Sequence, residues 1–288
     1  MFGMSVKKYL QGLEDLNGKK VIIAGGTSGI GLSIVQELLI KNAIVVIMAR
    51  NLTKANEVKS KFEIDYSNAS ISIVKYDQSN DQSIIDACEI IKKEHSDFYA
   101  LIMNAGVIQS KRNQTYINDI PLTMKTNCVG LKVLLDNLLP NLNGKHRFIF
   151  QGSLVAGWKS KEMTTLKDKN LTPFKQYIFS KKCIEALYYH YASMEQDRFS
   201  FYLVEPGITN SDIIRDFPAF FRVGGHIFLK VASHSTDKAA LTALKALETT
   251  TPKNSFIRPR FNFRGYPRIK KFPKKRIRED LYDLLGQI

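Results

Sequence analysis

The 288-residue sequence predicts a single α/β domain built on a doubly wound parallel sheet with helices on both faces. Two observations carry that expectation. Short, continuous apolar runs rich in β-branched residues alternate with stretches of helical periodicity, the pattern of strands buried on both faces. The first of these runs opens directly into a glycine-rich turn and then a helix, the usual start of a βαβ unit. No internal repeat and no linker rich in Gly, Pro or Ser marks a second domain, and at 44% hydrophobic residues a chain of this length can bury one large core.

The elements follow in order. Val21–Ala24 reads as a short buried strand. A helix over Ile30–Lys41 sets Ile30, Ile34, Leu38 and Leu39 on one face. Ile44–Met48 is the second strand, followed by a polar helix over Thr53–Phe62. Ile71–Tyr76 and Asp81–Glu94 form the third strand and helix, and Tyr99–Met103 the fourth strand. A long helix is expected from Ile120 to Leu139, stopped by Pro140. Arg147–Phe150 is strand five, Lys175–Glu195 the next helix, and Phe199–Val204 strand six.

Between the first strand and first helix lies Ala24-Gly25-Gly26-Thr27-Ser28-Gly29-Ile30-Gly31. Glycines let a backbone turn tightly and approach a ligand, and a helix N-terminus offers free N–H groups and a positive dipole end. Placed here, the turn is a site for a pyrophosphate, which makes the fold a dinucleotide-binding Rossmann fold.

Further along, Tyr177 and Lys181 stand four apart within an expected helix and share one face of it. An ammonium beside a phenol favours the ionised form, so a lowered Tyr177 pKa and proton exchange with an alcohol or carbonyl are expected. The spacing recurs at Tyr266 and Lys270, but Pro267 inside that interval argues against a helix.

The company around Tyr177 settles which copy matters. With glycines spaced Gly25, Gly29 and Gly31, the chain resembles the short-chain dehydrogenase/reductase family in its compact single-domain branch, although Ala24 stands where that family usually has Thr. The resemblance runs over residues 17 to 250. It implies a cofactor site made of Gly25, Thr27, Ser28, Gly29, Ile30 and Gly31, with Asp77 and the Asn104-Ala105-Gly106 motif on the adenine side. Pro206, Gly207, Ile208 and Ser211 fall on the nicotinamide side by the same resemblance. It also implies a catalytic set of Asn127, Ser153, Tyr177 and Lys181. In that set Ser153 holds the substrate oxygen, Tyr177 gives the proton, Lys181 lowers the Tyr177 pKa and bonds the ribose, and Asn127 holds a relay water. The interval of twenty-four residues between Ser153 and Tyr177 is about double the family's commoner one; its polar segment, Trp158–Thr172, is expected to be a surface loop beside the active-site mouth, as in reductases similar to the retinol dehydrogenases.

Strand two ends in Ala49-Arg50-Asn51. An NAD site would place an acid there for the ribose hydroxyls. Arg50 instead suits a 2′-phosphate, so NADP(H) is expected over NAD(H), although Ser28 is not the second basic residue many NADP enzymes carry. No metal ligation is expected. Aromatics in the lid segment, about 208–235, suggest an apolar or bulky carbonyl or alcohol substrate, or equally a core-packing amphipathic helix.

The formal charge of +15 is concentrated. Residues 253 to 278 carry eleven Lys and Arg and no acid, so residues 1–256 read as the catalytic domain and 257–288 as a basic C-terminal extension. Its cations interleave with aromatics, a pattern that suits single-stranded nucleic acid or an anionic lipid surface. The ordinary reading is a solvated extension or an arm packed on a partner subunit. Cys88, Cys128 and Cys183 are scattered and unpaired in spacing, there is no secretory leader and no apolar run of eighteen residues, so a cytoplasmic protein is expected. The resemblance implies a homodimer or homotetramer through the helices of Asn127 and Tyr177. The rival readings are a non-catalytic nucleotide-binding regulator and a binder of nucleic acid or lipid through the basic tail.

Overall fold

A computed structural model describes residues 5–159, 165–194, 197–209 and 235–287. A short N-terminal helix, α1 (Val6–Gln11), precedes β1 (Lys20–Ala24), α2 (Gly29–Ile40), β2 (Ile44–Ala49), α3 (Leu52–Asp65), β3 (Ser70–Lys75), α4 (Asp81–Glu94) and β4 (Ala100–Met103). After a small hairpin, β5 (Tyr116–Ile117) and β6 (Ile120–Pro121), come α5 (Leu122–Met124), a π-helical turn (Lys125–Val129) and α6 (Gly130–Leu138). Then follow β7 (His146–Gln151), α7 (Pro173–Ser193), β8 (Phe199–Val204), α8 (Thr236–Lys245), β9 (Phe256–Pro259), β10 (Pro267–Lys270) and α9 (Glu279–Leu285).

Eight of the strands form one sheet in the order β3-β2-β1-β4-β7-β8-β9-β10. All neighbours are parallel except the antiparallel final pair, β9 and β10. Chain direction across the sheet reverses between β1 and β4, and this switch point opens a crevice at their carboxyl ends. Successive residues of the inner strands alternate between two cores: Ile22 and Ala24 face the layer of α4, α6 and α7, while Val21 and Ile23 face the layer of α2 and α8. That double burial is why these strands read as unbroken apolar runs.

Local signals place the helix starts. Asn51 caps α3 through the Lys54 amide, and Asn80 caps α4 through the Ser83 amide. Thr172 caps α7, with Pro173 at its first position, where a missing N–H does no harm. The helix expected as one piece over 120–139 is instead composite. Ile120 and Pro121 close the hairpin, and the widened turn Lys125–Val129 interrupts the α-helical ladder around Asn127.

The tail is the largest revision. The expected boundary between 256 and 257 falls inside β9, which pairs with β8 through Leu203↔Phe256 and Val204↔Ile257. β10 returns antiparallel as the sheet edge, with Ile269 opposite Ile257. Helix α9 packs on α7 through buried Leu281, Leu284 and Leu285, and Tyr282 stacks on His190. Part of the α7 surface expected to serve self-association is therefore covered by the chain itself. Apolar residues at alternating and helical spacing within the tail do this folding, and the basic count hides them. Among the described residues no helix is long and apolar enough to cross a membrane.

Candidate active site

At the switch point, Gly25 and Gly29 take positive φ of 83° and 54°, a conformation that favours glycine. A side chain on Gly31 would strike the Gly25 carbonyl and come 2.6 Å from Asn104 Nδ2, so the turn stays tight only with glycine there. Asn104 Nδ2 donates to the Gly25 carbonyl at 2.9 Å and ties the β4 end to the turn across the crevice. Ser28 stands at the N-cap of α2 with no side-chain capping bond.

A cavity of about 460 Å³ extends from this turn. Gly25, Thr27, Ser28, Gly29 and Ile30 form one wall, and Asn104, Ala105, Gly106 and Val107 another. Arg50, just after β2, and Lys54, in the first turn of α3, also line it, and Asp77 is the one carboxylate among the lining residues. The cavity's glycine turn, open helix N-terminus and paired cations fit a dinucleotide with its phosphates on the turn. Asp77 is itself held, its Oδ1 accepting from the Ser79 amide at 2.9 Å and hydroxyl at 2.7 Å. Lys54 supplies the second cation that Ser28 lacks. Its signal in the sequence was its place four residues after Arg50, in the first turn of the next helix.

Gly106 and Val107, which line the cavity, adjoin the residues singled out by the resemblance. Gly106 closely faces the π-turn and α7: a side chain on it would lie 3.4 Å from Asn127 Oδ1 and 3.7 Å from Lys181 Nζ. Asn127 is fully buried. Its amide donates to the Val107 carbonyl at 2.9 Å and the Ser180 hydroxyl at 3.0 Å, while its Oδ1 accepts from the Val107 N–H at 2.8 Å. Both amide hydrogens are committed, so the side chain clamps the β4 loop to α7. Ser180, whose hydroxyl donates to the Tyr177 carbonyl at 2.8 Å, completes the clamp. Sequence reasoning passed over Ser180, because a serine inside a helix carries no signal by itself.

Ser153, Tyr177 and Lys181 come together at the end of β7. The Ser153 hydroxyl hydrogen-bonds the Tyr177 phenol. Lys181 Nζ lies 5.7 Å from the Tyr177 ring centre and donates to the Gln151 carbonyl at 3.0 Å. The expected lowering of the Tyr177 pKa does not hold for the chain by itself. Burial pushes the phenol up to about 12, opposed by the Ser153 hydrogen bond. Burial also pulls Lys181 down to about 8, because an ammonium loses its hydration there. The ammonium is turned to a backbone carbonyl, not to the phenolate oxygen, so desolvation outweighs the pairing that the spacing suggested.

Gly207, after β8, has φ of 81°, and the next residue, Ile208, donates its N–H to the Phe263 carbonyl at 3.0 Å. Ser211 and nearly all of the expected lid lie outside the described residues. In the long interval before Tyr177, Leu166 and Leu171 are buried and Lys169 pairs with Asp119 at 2.6 Å, so this part packs beside the β5–β6 hairpin.

The family model described as short chain dehydrogenase matches residues 19–218. Retinol dehydrogenase 12 of Homo sapiens is 31% identical over 120 residues, 40% of this chain and 38% of that protein. Fatty acyl-CoA reductase of Acinetobacter baylyi is 30% identical over 190 residues, 63% of this chain and 59% of that protein. NADP-dependent 3-hydroxy acid dehydrogenase of Schizosaccharomyces pombe is 30% identical over 152 residues, 51% of this chain and 58% of that protein. The chain thus spans 38–59% of the length of these three relatives. Among solved structures, a short chain dehydrogenase from Burkholderia cenocepacia in complex with NADP superposes with a TM-score of 0.65 at 19% identity, covering 84% of this chain and 96% of that one. A dehydrogenase/reductase from Sinorhizobium meliloti gives 0.66 at 18% identity, covering 87% and 96%. At such identities the likeness is one of fold.

Proposed function

The chain belongs to the short-chain dehydrogenase family, and on that premise we propose that it interconverts an alcohol and a carbonyl compound with NADP(H), using Tyr177 as the proton donor. The observation that carries this reading is the hydrogen-bonded Ser153–Tyr177 pair, with buried Lys181 beside it and close to Gly106, which lines the cavity that extends from the glycine turn. A phenol near 12 carries its proton at neutral pH, as an ordinary tyrosine does, and gives it up only when a neighbouring charge stabilises the phenolate.

The roles follow from position. The glycine turn and the N-terminus of α2 bind the pyrophosphate, and Asp77, Asn104, Ala105 and Gly106 shape the adenine side. Thr27, Ser28 and Ile30 line the turn; Pro206, Gly207, Ile208 and Ser211 are assigned to the nicotinamide side. The reduced nicotinamide, when bound, supplies the hydride. Ser153 donates a hydrogen bond to the substrate oxygen as negative charge grows there. Tyr177 passes its proton to the same oxygen. Lys181 bonds the ribose and draws the phenolate form down in energy as it develops. Asn127 holds the β4 loop against α7, so that both walls keep their spacing.

Arg50 and Lys54 support NADP(H) over NAD(H), since two cations and no acid stand just after β2 and in the first turn of α3 among the cavity-lining residues. The aromatics of the lid segment support an apolar or bulky substrate. Three buried free thiols, Cys88, Cys128 and Cys183, support a reducing compartment such as the cytoplasm. The test is to follow NADPH absorbance with a panel of ketones and aldehydes. Turnover with at least one carbonyl, abolished in Tyr177→Phe while NADPH still binds, is the expected result. A protein that binds NADPH and turns over nothing would favour the regulatory reading.

A further inference from the structure

Two cations of the basic tail do not face solvent. Arg276, in the turn before α9, sends its guanidinium under the active site, where its side chain is 9% exposed. Its Nε donates to Glu185 Oε2 at 2.9 Å and its Nη2 to Glu205 Oε1 at 2.7 Å; Nη2 also bonds Glu185 Oε1. Arg258 of β9 adds an ion pair, its Nη2 2.8 Å from Glu205 Oε2, though without the alignment of a hydrogen bond. Both glutamates are buried, at 1% and 0% exposure, and the rings of Phe256 and Phe272 lie 5.5 and 5.7 Å from the Arg276 guanidinium carbon.

The three backbone segments that meet at this guanidinium are the ones that bear the proposed chemistry. Glu185 is one helical turn beyond Lys181 and two beyond Tyr177 on α7. Glu205 immediately precedes Pro206 and Gly207. On the third side, a side chain on Gly157 would sit 3.7 Å from Arg276 Nη1, which places the guanidinium against the short helical turn Leu154–Gly157 that follows Ser153. Two carboxylates this deep repel unless a cation bridges them, and the planar fork of an arginine holds Glu185 through two nitrogens while also reaching Glu205, a fixed geometry that a lysine's single nitrogen does not reproduce.

We propose that Arg276 is a positioning residue: it sets the spacing of Ser153, the Tyr177–Lys181 face and the Pro206–Gly207 turn by bridging Glu185 and Glu205 beneath them. The inference rests on the function proposed above. It gives this stretch of the tail a task inside the catalytic domain. Arg276 touches neither substrate nor cofactor and acts through the segments it joins, so the phosphate end of the cavity should not depend on it.

The experiment compares the full-length parent with Arg276→Ala, Arg276→Lys and, as a control at the exposed neighbouring cation, Lys275→Ala. Thermal melting, NADPH affinity by fluorescence, and kcat and KM with the best carbonyl are measured for each. Arg276→Ala is expected to lose at least tenfold in kcat while NADPH affinity stays within threefold, with Arg276→Lys recovering part of the loss and Lys275→Ala matching the parent. A folded Arg276→Ala with parental kcat would overturn the proposal, as would a loss of kcat matched by an equal loss of NADPH affinity. Should Arg276→Ala not fold, Arg276→Lys decides alone: kcat must fall severalfold with KM and NADPH affinity kept, and parental kcat overturns it. If the parent itself turns over no carbonyl, the functional reading has failed separately. The bound-NADPH emission then tests Arg276, whose replacement by lysine must change the nicotinamide's emission intensity; an unchanged emission overturns the proposal.

Discussion

The phosphate turn and the proposed catalytic cluster are the two ends of one site and are built on opposite principles. At the phosphate end the binding groups are backbone N–H groups of a turn and helix start, with Arg50 and Lys54 exposed at the rim. At the catalytic end Tyr177 and Lys181 are 5% and 4% exposed, and Asn127, Glu185, Glu205 and Arg276 are tied to one another or to backbone groups. A charge in water is screened and replaceable, whereas a charge or phenol out of water is governed by whatever touches it. The wet end should therefore tune which cofactor binds, and the dry end should decide whether anything reacts.

Substitutions can break that division. The largest effect is expected at the dry end: Tyr177→Phe should reduce kcat by about 10²–10⁴-fold, the range for loss of a positioned general acid, with NADPH affinity unchanged by fluorescence titration. At the wet end, Arg50→Ala should lower the preference for NADP(H) over NAD(H), as a ratio of kcat/KM, by about 10–100-fold, the scale of one forked charge-assisted bond. A parent that uses both cofactors equally would remove the basis for that expectation.

The pH dependence of stability separates the ends again. Lys181 has a folded pKa lowered to about 8 from 10.5, so the unfolded chain binds the extra proton between those values. The folded state of the cofactor-free protein accordingly gains stability from this group as pH rises from 8 to 10.5, and loses that gain as pH falls back through 8. Urea midpoints at pH 8 and 9.5 should show a component of about 2 kcal/mol in the parent that Lys181→Met lacks. The smallest effect belongs to Lys54→Ala, about two- to fivefold in NADP(H) affinity and smaller still in high salt, as befits an exposed point charge. An effect of Lys54 as large as that of Arg50 would mean the rim is more enclosed than its exposure indicates.

Legibility in the sequence followed the range of the interactions. The phosphate turn was legible because all its parts are contiguous: a strand, a run of glycines and a helix start need no partner from elsewhere. The Tyr177–Lys181 face was legible because helical periodicity places both side chains. Their pKa values were not, since spacing says which groups are neighbours but not how much water surrounds them. The break at Asn127 was also hidden, because a π-turn leaves no mark distinct from an ordinary helix in composition.

The tail shows the limit most plainly. By count it was a basic extension, and its exposed cations keep that character. Yet Phe256 and Ile257 add a strand, Leu281, Leu284 and Leu285 cover α7, and Arg276 finds its two carboxylates 91 and 71 residues away in the chain. The sequence by itself determined the alternation of strands and helices, the glycine turn and the order of the proposed catalytic set, because each is written in local periodicity and spacing. Only the tertiary structure decided which charges would be buried and bridged, because desolvation and ion pairing depend on what the folded chain brings into contact from a distance.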